Sequence, residues 1–412
     1  MPINNLFPLN WRLKMALSPS QISEQLEKKM LSHFITKKMP ISKFKTSKFT
    51  KIWFSKPGNH PLGGPLNEFR LIQHKCRFPN DEISLICNLS DHDDATKAYL
   101  KAFCSTNKIK LFSLEDIEAQ IKSLDNEQCP DIKIQLELLK IAKIEIQSPF
   151  GCLAAASDIV RTLSPVALMG IYTDFDITKK KNIPAEYLSP FGIRLVTVFD
   201  NDLASKGAIS CIGLNNHTCA FDESNTDFLM AYRAAILKNY NEINNIILKM
   251  NEKHIFDKTE YKNAVKYMKD NKESLAPFVK ALKFRAAMQQ SAAPKNYDEF
   301  LKHFVLQITG PACLQNILDE YFSKDFTKIV GNMMNSLPQE HNNFKMLPNI
   351  LAMLTVKPYD FDNDGDMSWL PSFDSMKTTF AVLNANATKI QSMVRMHQAK
   401  NKVAKISLNA RA

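Results

Sequence analysis

From Lys48 onward, short apolar runs dense in β-branched and aromatic residues alternate with stretches of helical spacing. Phe49 to Ser55, Glu82 to Leu89 and Lys108 to Phe112 read as strands. Residues 132–145 (DIKIQLELLKIAKI) and 152–163 (CLAAASDIVRTL) read as helices. Gly170 breaks the second helical region just before Ile171-Tyr172-Thr173, a short strand that runs into Asp174-Phe175-Asp176. Ile193 to Phe199 and Ala208 to Leu214 are further strands, and after Asp227 the spacing is helical almost to Met334. Strands interleaved with helices imply an α/β fold with a mainly parallel sheet. Ligands on such sheets bind outside the carboxyl ends of the strands, so the chemistry belongs there. Three parts are expected: a basic segment over 1–47, a folded unit over 48–375 with a helical subdomain at about 227–334, and a terminal helix over 385–407.

The 412 residues are 45% apolar with only 11 Gly and 20 Pro, the composition of a folded globular protein. Apolar runs such as Leu163 to Tyr172 fall well short of the ~20 residues that cross a bilayer. Arg12 and Lys14 interrupt the N-terminus before a signal-peptide core develops, so neither a Sec signal nor a transmembrane segment is expected. Eight scattered cysteines contain no Cys-x-x-Cys pair, which argues against a zinc ribbon or a disulfide framework and fits a reducing cytosol. The charge is uneven. Residues 1–56 carry 11 Lys/Arg and 2 Asp/Glu, residues 376–412 carry 7 basic and no acidic residues, and the middle carries 35 basic against 40 acidic. Basic ends on a near-neutral body fit a membrane surface or an acidic protein and not a nucleic-acid-binding body.

Asp174 and Asp176 stand one residue apart at a strand end. Strand alternation would point both carboxylates the same way, a pair suited to a hard divalent cation with phosphate oxygens completing its shell. Alone, Asp-x-Asp is weak in a chain with 42 acidic residues. Upstream, Asp158 and Arg161 are three apart on one helix face, a carboxylate beside a cationic fork, with a structural ion pair as the plain alternative.

Leu153-Ala154-Ala155-Ala156-Ser157-Asp158-Ile159-Val160-Arg161, followed by Met169-Gly170-Ile171-Tyr172-Thr173-Asp174-Phe175-Asp176, resembles the clostridial-type glucosylating-toxin glycosyltransferases and related secreted bacterial effectors. Looser matches are Lys51-Ile52-Trp53-Phe54, Thr309-Gly310-Pro311 and the late stretch Asn363 to Trp369. The resemblance covers roughly residues 48–372 and implies a GT-A fold, Rossmann-like with a mainly parallel sheet. It implies a Mn²⁺ or Mg²⁺ ion on Asp176 and Asp174, with Asp174 also holding ribose and sugar hydroxyls. Asp158 and Arg161 would hold the transferred sugar, Trp53 would stack on uracil, and Ser368 and Trp369 would meet the leaving diphosphate. The implied reaction is metal-dependent retaining transfer from UDP-glucose or UDP-N-acetylglucosamine to a host protein. The helices after Asp227 align with nothing in the family, and the late loop is unusually acidic. That loop, Asp360 to Asp366, also begins like an EF-hand, but position 12 is Pro371 where a bidentate Glu belongs. Asp364 or Asp366 then stands as a third metal ligand, with Asp366 favoured.

Gly58, Gly63 and Gly64 precede no Gly-Lys-Ser/Thr, the nine His make no metal spacing, and Cys152 and Cys313 lack a base partner. Near the C-terminus Ile390, Gln391, Arg395 and Lys400 follow the order Ile-Gln-x-x-x-Arg-x-x-x-x-Lys, which resembles the calmodulin-binding IQ motif, with Met396 where Gly is favoured. Ile390 and Val394 share a helical face, so the stretch suits an acidic, Met-lined partner; the alternatives are a helix docked on its own domain or lying on a membrane. Calmodulin is eukaryotic, so the tail fits a bacterial effector acting in a host cytosol. Two rival readings are a non-enzymatic calmodulin-binding adaptor on a degenerate glycosyltransferase fold and a transferase with a lipid or glycan acceptor.

Overall fold

The computed structural model describes residues 42–124, 130–180, 183, 185–189, 193–199, 212–221, 226–252, 259–260, 262–263, 265–266, 277–292, 294–321, 355–356 and 361–363. Asp364, Asp366, Ser368, Trp369, Ile390, Gln391, Val394, Arg395 and Lys400 lie outside these residues. Strand β1 (Ser42–Lys45) leads into β2 (Lys48–Trp53). Helix α1 (Pro65–Arg77), β3 (Glu82–Cys87), α2 (Asp94–Thr106) and β4 (Lys110–Ser113) follow. Helices α3 (Leu114–Ser123), α4 (Pro130–Gln147), α5 (Leu153–Val160) and α6 (Ser164–Ala167) come next. The chain then forms β5 (Ile171–Thr173), β6 (Ile177–Lys179), β7 (Glu186–Ser189), β8 (Ile193–Phe199) and β9 (Ile212–Phe221). Among the described residues there follow α7 (Thr226–Asn241), α8 (Ile243–Glu252), α9 (Pro277–Ser291), α10 (Pro294–Ile308) and α11 (Pro311–Tyr321). Strands β10 (Thr355–Val356) and β11 (Phe361–Asn363) are the last elements among the described residues.

The main sheet runs β10-β8-β9-β5-β2-β3-β4. Only β9 is antiparallel to its neighbours, so the expected mainly parallel α/β architecture is present. Alternation along β2 and β3 divides the core between the two faces. Phe49, Ile83, Leu85 and Cys87 pack with Leu71 of α1 and Leu100 of α2, while Ile52 and Ile86 pack on the opposite face with α3 to α11. Two buried ion pairs anchor the late helices to α4. Arg233 of α7 meets Asp131 at 2.7–2.9 Å, and Arg285 of α9 meets Glu145 at 2.7–2.8 Å.

Local chemistry explains the boundaries that differ from the sequence reading. Strand β2 stops at Trp53, short of Ser55, because the Asn88 side chain captures Ser55 at both its N–H (3.1 Å) and its carbonyl (2.9 Å), outside the sheet. The helix expected over 152–163 ends at Val160. Arg161 is its C-cap, and Pro165, which cannot continue a helix, opens α6. Helix α4 extends beyond 132–145 at both ends, and β9 runs on to Phe221, past the Leu214 end expected from sequence. Gly170 has φ +148°, and a Cβ there would stand 2.6 Å from the Lys48 carbonyl oxygen, so a glycine lets β5 close on β2.

Candidate active site at the sheet reversal

The chain builds the sheet outward from β2 to β3 and β4, then returns to lay β5 on the other side of β2. That reversal falls between β2 and β5, and open α/β sheets take ligands at the carboxyl ends of the strands flanking such a point. The β2–β5 ladder pairs Phe49 with Ile171 and Thr50 with Tyr172, and beyond these pairs the two strands separate. Trp53 ends one strand; Asp174-Phe175-Asp176 leaves the other.

Asp174-Phe175-Asp176 is a turn and not the extended strand end read from sequence. Ile177 N–H donates to the Asp174 carbonyl at 3.2 Å, and β6 begins there. The turn buries Phe175 and leaves Asp174 and Asp176 half-buried. Strand β6 is held from below by Lys179, whose ammonium donates to Asp81 at 3.0–3.1 Å and to the Thr46 carbonyl at 2.8 Å.

On one side of the turn lies a continuous polar chain. Tyr172 Oη donates to Asp174 Oδ1 at 2.5 Å and lies 3.3 Å from Ser157 Oγ. The Arg161 guanidinium sits 4.1 Å above the Tyr172 ring and pairs with Asp158 at 2.6 Å. Asp158 Oδ2 accepts from Thr309 Oγ1 at 2.8 Å, and the Thr309 carbonyl accepts from Tyr232 Oη at 2.9 Å. Asp158 and Arg161 are buried, so their ion pair is also a structural joint between α5 and the α10–α11 corner.

The other side is aromatic and basic. Trp53 stands edge-on to Phe175 with centroids 5.3 Å apart. Its indole packs so closely on Gly63 that a Cβ there would lie 2.2 Å from the ring. The buried Trp53 N–H meets no acceptor among the described residues. Lys51, also buried, donates to the carbonyls of Asp174 (2.6 Å) and Ile177 (3.2 Å). Burial lowers its ammonium to about 7, against the opposing pull of Asp174 and Asp176.

Burial raises the Asp176 carboxyl to about 6, the Asp174 charge adds to the rise, and Arg70 and Lys51 oppose it. Two adjacent oxygen donors whose charges oppose each other fit a hard divalent cation, which would relieve that repulsion. No cluster of three or more metal-ligating side chains occurs among the described residues, so these two carboxylates would be the protein's share there. The sign of the pH effect follows. A carboxyl raised above its ordinary value adds stability at low pH that is lost as pH rises through about 6, whereas cation binding needs the ionised form. Mn²⁺ binding should therefore strengthen from pH 5 to pH 7, and Asp176→Asn should flatten that profile while raising the metal-free melting temperature at pH 7. Titration of free Mn²⁺ at both pH values checks this.

The structure thus brings together Trp53, Asp158, Arg161, Asp174 and Asp176. Strand β11 pairs with β6 so that Asn363 lies opposite Ile177, one residue past Asp176. Sequence reasoning missed Lys51 and Tyr172. A lysine among Phe49, Ile52 and Trp53 was the available signal for the first; its i, i+2 spacing from Asp174 was the signal for the second.

No protein-family model and no curated protein sequence matches the chain. Among solved structures, the PaToxG glycosyltransferase overlaps 78% of this chain and 87% of its own at 14% identity, with a TM-score of 0.42. The catalytic domain of alpha-toxin from Clostridium novyi overlaps 93% of this chain and 94% of its own at 12% identity and a TM-score of 0.34. The bacterial N-acetylglucosamine transferase NleB overlaps 48% and 81% at 12% identity and a TM-score of 0.30. Overlap this distant leaves activity to be argued from the site itself.

Proposed function

We propose that the chain is a metal-dependent GT-A-type glycosyltransferase that moves a sugar from a nucleotide sugar to a protein acceptor. One observation carries the reading: two half-buried carboxylates stand on a turn at the sheet's reversal point, with the first bonded by Tyr172 and Trp53 packed edge-on against the Phe175 between them. Fold alone would leave function open, so the weight rests on this constellation.

Asp174 and Asp176 would hold Mn²⁺ or Mg²⁺, with Asp366 as the third protein ligand in this reading. A bound cation supplies charge neutralisation for the departing nucleoside diphosphate. Tyr172 holds the Asp174 carboxylate through Oδ1, which leaves Oδ2 uncommitted to that bond. Asp158 and Arg161 take the sugar hydroxyls in this assignment, and their mutual ion pair keeps both side chains in place before substrate arrives. Ser368 and Trp369 meet the diphosphate in this assignment, and attack on the face the diphosphate leaves retains the anomeric configuration. The donor is UDP-glucose or UDP-N-acetylglucosamine.

Trp53 is the base platform. Stacking of a base on an aromatic side chain is worth ~1–3 kcal/mol, so Trp53→Ala should raise the donor Michaelis constant roughly 5- to 150-fold with a smaller change in turnover. An unchanged constant would make Trp53 ordinary core packed on Gly63.

The tail from about 385 to 407 is proposed to bind host calmodulin, and the basic N-terminal segment to touch a membrane surface, in a secreted bacterial effector acting in a host cytosol. Calorimetry of the full chain with calmodulin, with and without Ca²⁺, tests the first point. Binding should be lost in the Ile390→Ala, Gln391→Ala double variant; equal affinity in both proteins rejects the tail assignment.

A further inference from the structure

We propose that Lys51 is the positioning residue of the Asp174–Asp176 turn, fixing the main chain on which the two carboxylates stand. The inference rests on the metal-binding reading of that turn.

Lys51 belongs to β2, between Thr50 and Ile52 in a strand otherwise buried by packing, and it is only 3% exposed. Placing an ammonium there costs several kcal/mol unless its hydrogens are satisfied. Its hydrogen bonds go to main-chain carbonyls and not to the carboxylates: Asp174 O at 2.6 Å and Ile177 O at 3.2 Å. These are the first and last residues of the four-residue turn. The turn's own closure is a single bond, Ile177 N–H to Asp174 O, at 3.2 Å. Lys51 therefore ties both ends to one donor that is itself anchored in the sheet, at the place where the β2–β5 ladder has already stopped.

The choice of acceptor matters. An ammonium bonded to the carboxylates would occupy the lone pairs a cation needs, whereas one bonded to the carbonyls of Asp174 and Ile177 does not occupy them. Beside the Lys51 ammonium, the Phe175 ring lies 5.7 Å from Nζ and fills the space under the turn. Main chain and side chain are thus fixed from opposite faces of the sheet, by Lys51 and by the Tyr172 hydroxyl respectively. Partners that orient metal ligands commonly change metal affinity by ~10–100-fold when removed.

The test is Mn²⁺ binding to the full chain, read from loss of the free-ion paramagnetic resonance signal, for wild type, Lys51→Met, Lys51→Arg and Thr50→Val. Circular dichroism verifies folding of each. Thr50 is the control, because its buried hydroxyl meets no partner among the described residues, so the change perturbs the same strand, beside Tyr172 in the ladder, while leaving both Lys51 bonds and the Tyr172 hydroxyl in place. Lys51→Met should bind Mn²⁺ at least ~10-fold more weakly, Lys51→Arg should fall between, and Thr50→Val should match wild type. Lys51→Met binding within twofold of wild type overturns the proposal. So does an equal loss in Thr50→Val, or failure of both Lys51 variants to fold, which would make Lys51 a stability group alone. Absence of Mn²⁺ binding in the wild type removes the metal reading itself, an outcome distinct from equal binding in wild type and Lys51→Met.

Discussion

Changing Asp174 and Asp176 together to alanine is expected to lower metal-dependent turnover of the nucleotide sugar at least ~1000-fold and to leave the chain folded. Groups that stabilise charge developing on a leaving group are individually worth ~100–1000-fold in turnover, and this pair holds the proposed cation as a unit. Folding should survive because neither carboxylate anchors the turn. Phe175 is buried beneath it, and Lys51 grips only the carbonyls of Asp174 and Ile177, which alanine retains. Removing two neighbouring like charges also relieves the repulsion that helps raise Asp176 to about 6. Tyr172 loses its acceptor on Asp174 but keeps Ser157 Oγ at 3.3 Å. Donor hydrolysis in Mn²⁺, measured beside the thermal melt, checks both halves; full turnover in the double variant sinks the assignment of the turn.

The second large effect is on stability and lies away from the Asp174–Asp176 turn. Arg285→Met should destabilise the fold by about 3–5 kcal/mol, because it leaves the Glu145 carboxylate buried without its cation. Arg285 is fully buried and gives Glu145 bonds of 2.7 and 2.8 Å. Glu145 would retain the Tyr240 hydroxyl at 2.9 Å and the Cys152 N–H at 2.8 Å, which bind the charge without neutralising it. Because Cys152 is the N-cap of α5, which carries Asp158, the loss should loosen the candidate site as well. Adding Glu145→Gln to Arg285→Met should recover part of the melting temperature, since a neutral amide can keep the tyrosine bond. Equal melting of wild type and Arg285→Met would mean the pair contributes nothing net.

Much of the candidate site was legible in sequence because its residues are close together in the chain. Asp158 and Arg161 are three apart, Asp174 and Asp176 two apart, and Gly170 marks the entry to β5; these spacings survive whatever the distant chain does. The alternation of strand and helix likewise gave the α/β class, because each β2-α1-β3 type unit is local. What escaped depends on long reach. Lys51 meets carbonyls 123 and 126 positions away, and Thr309 meets Asp158 across 151 positions. Main-chain acceptors carry no residue-type signal, so nothing in the sequence around Asp174 announces a lysine beneath it. The turn at 174–177 also defeated strand alternation: the periodicity of two continues through Phe175, but the backbone already curls to bond Ile177 N–H to Asp174 O.

The most direct test is a panel of radiolabelled nucleotide sugars incubated with the full chain in Mn²⁺ and, separately, in EDTA. Slow hydrolysis of one uridine diphosphate sugar is expected in Mn²⁺, abolished by EDTA, with transfer of the sugar to a protein acceptor when one is added. Hydrolysis that persists undiminished in EDTA, or no turnover of any nucleotide sugar in Mn²⁺ with or without calmodulin, would contradict the proposed function.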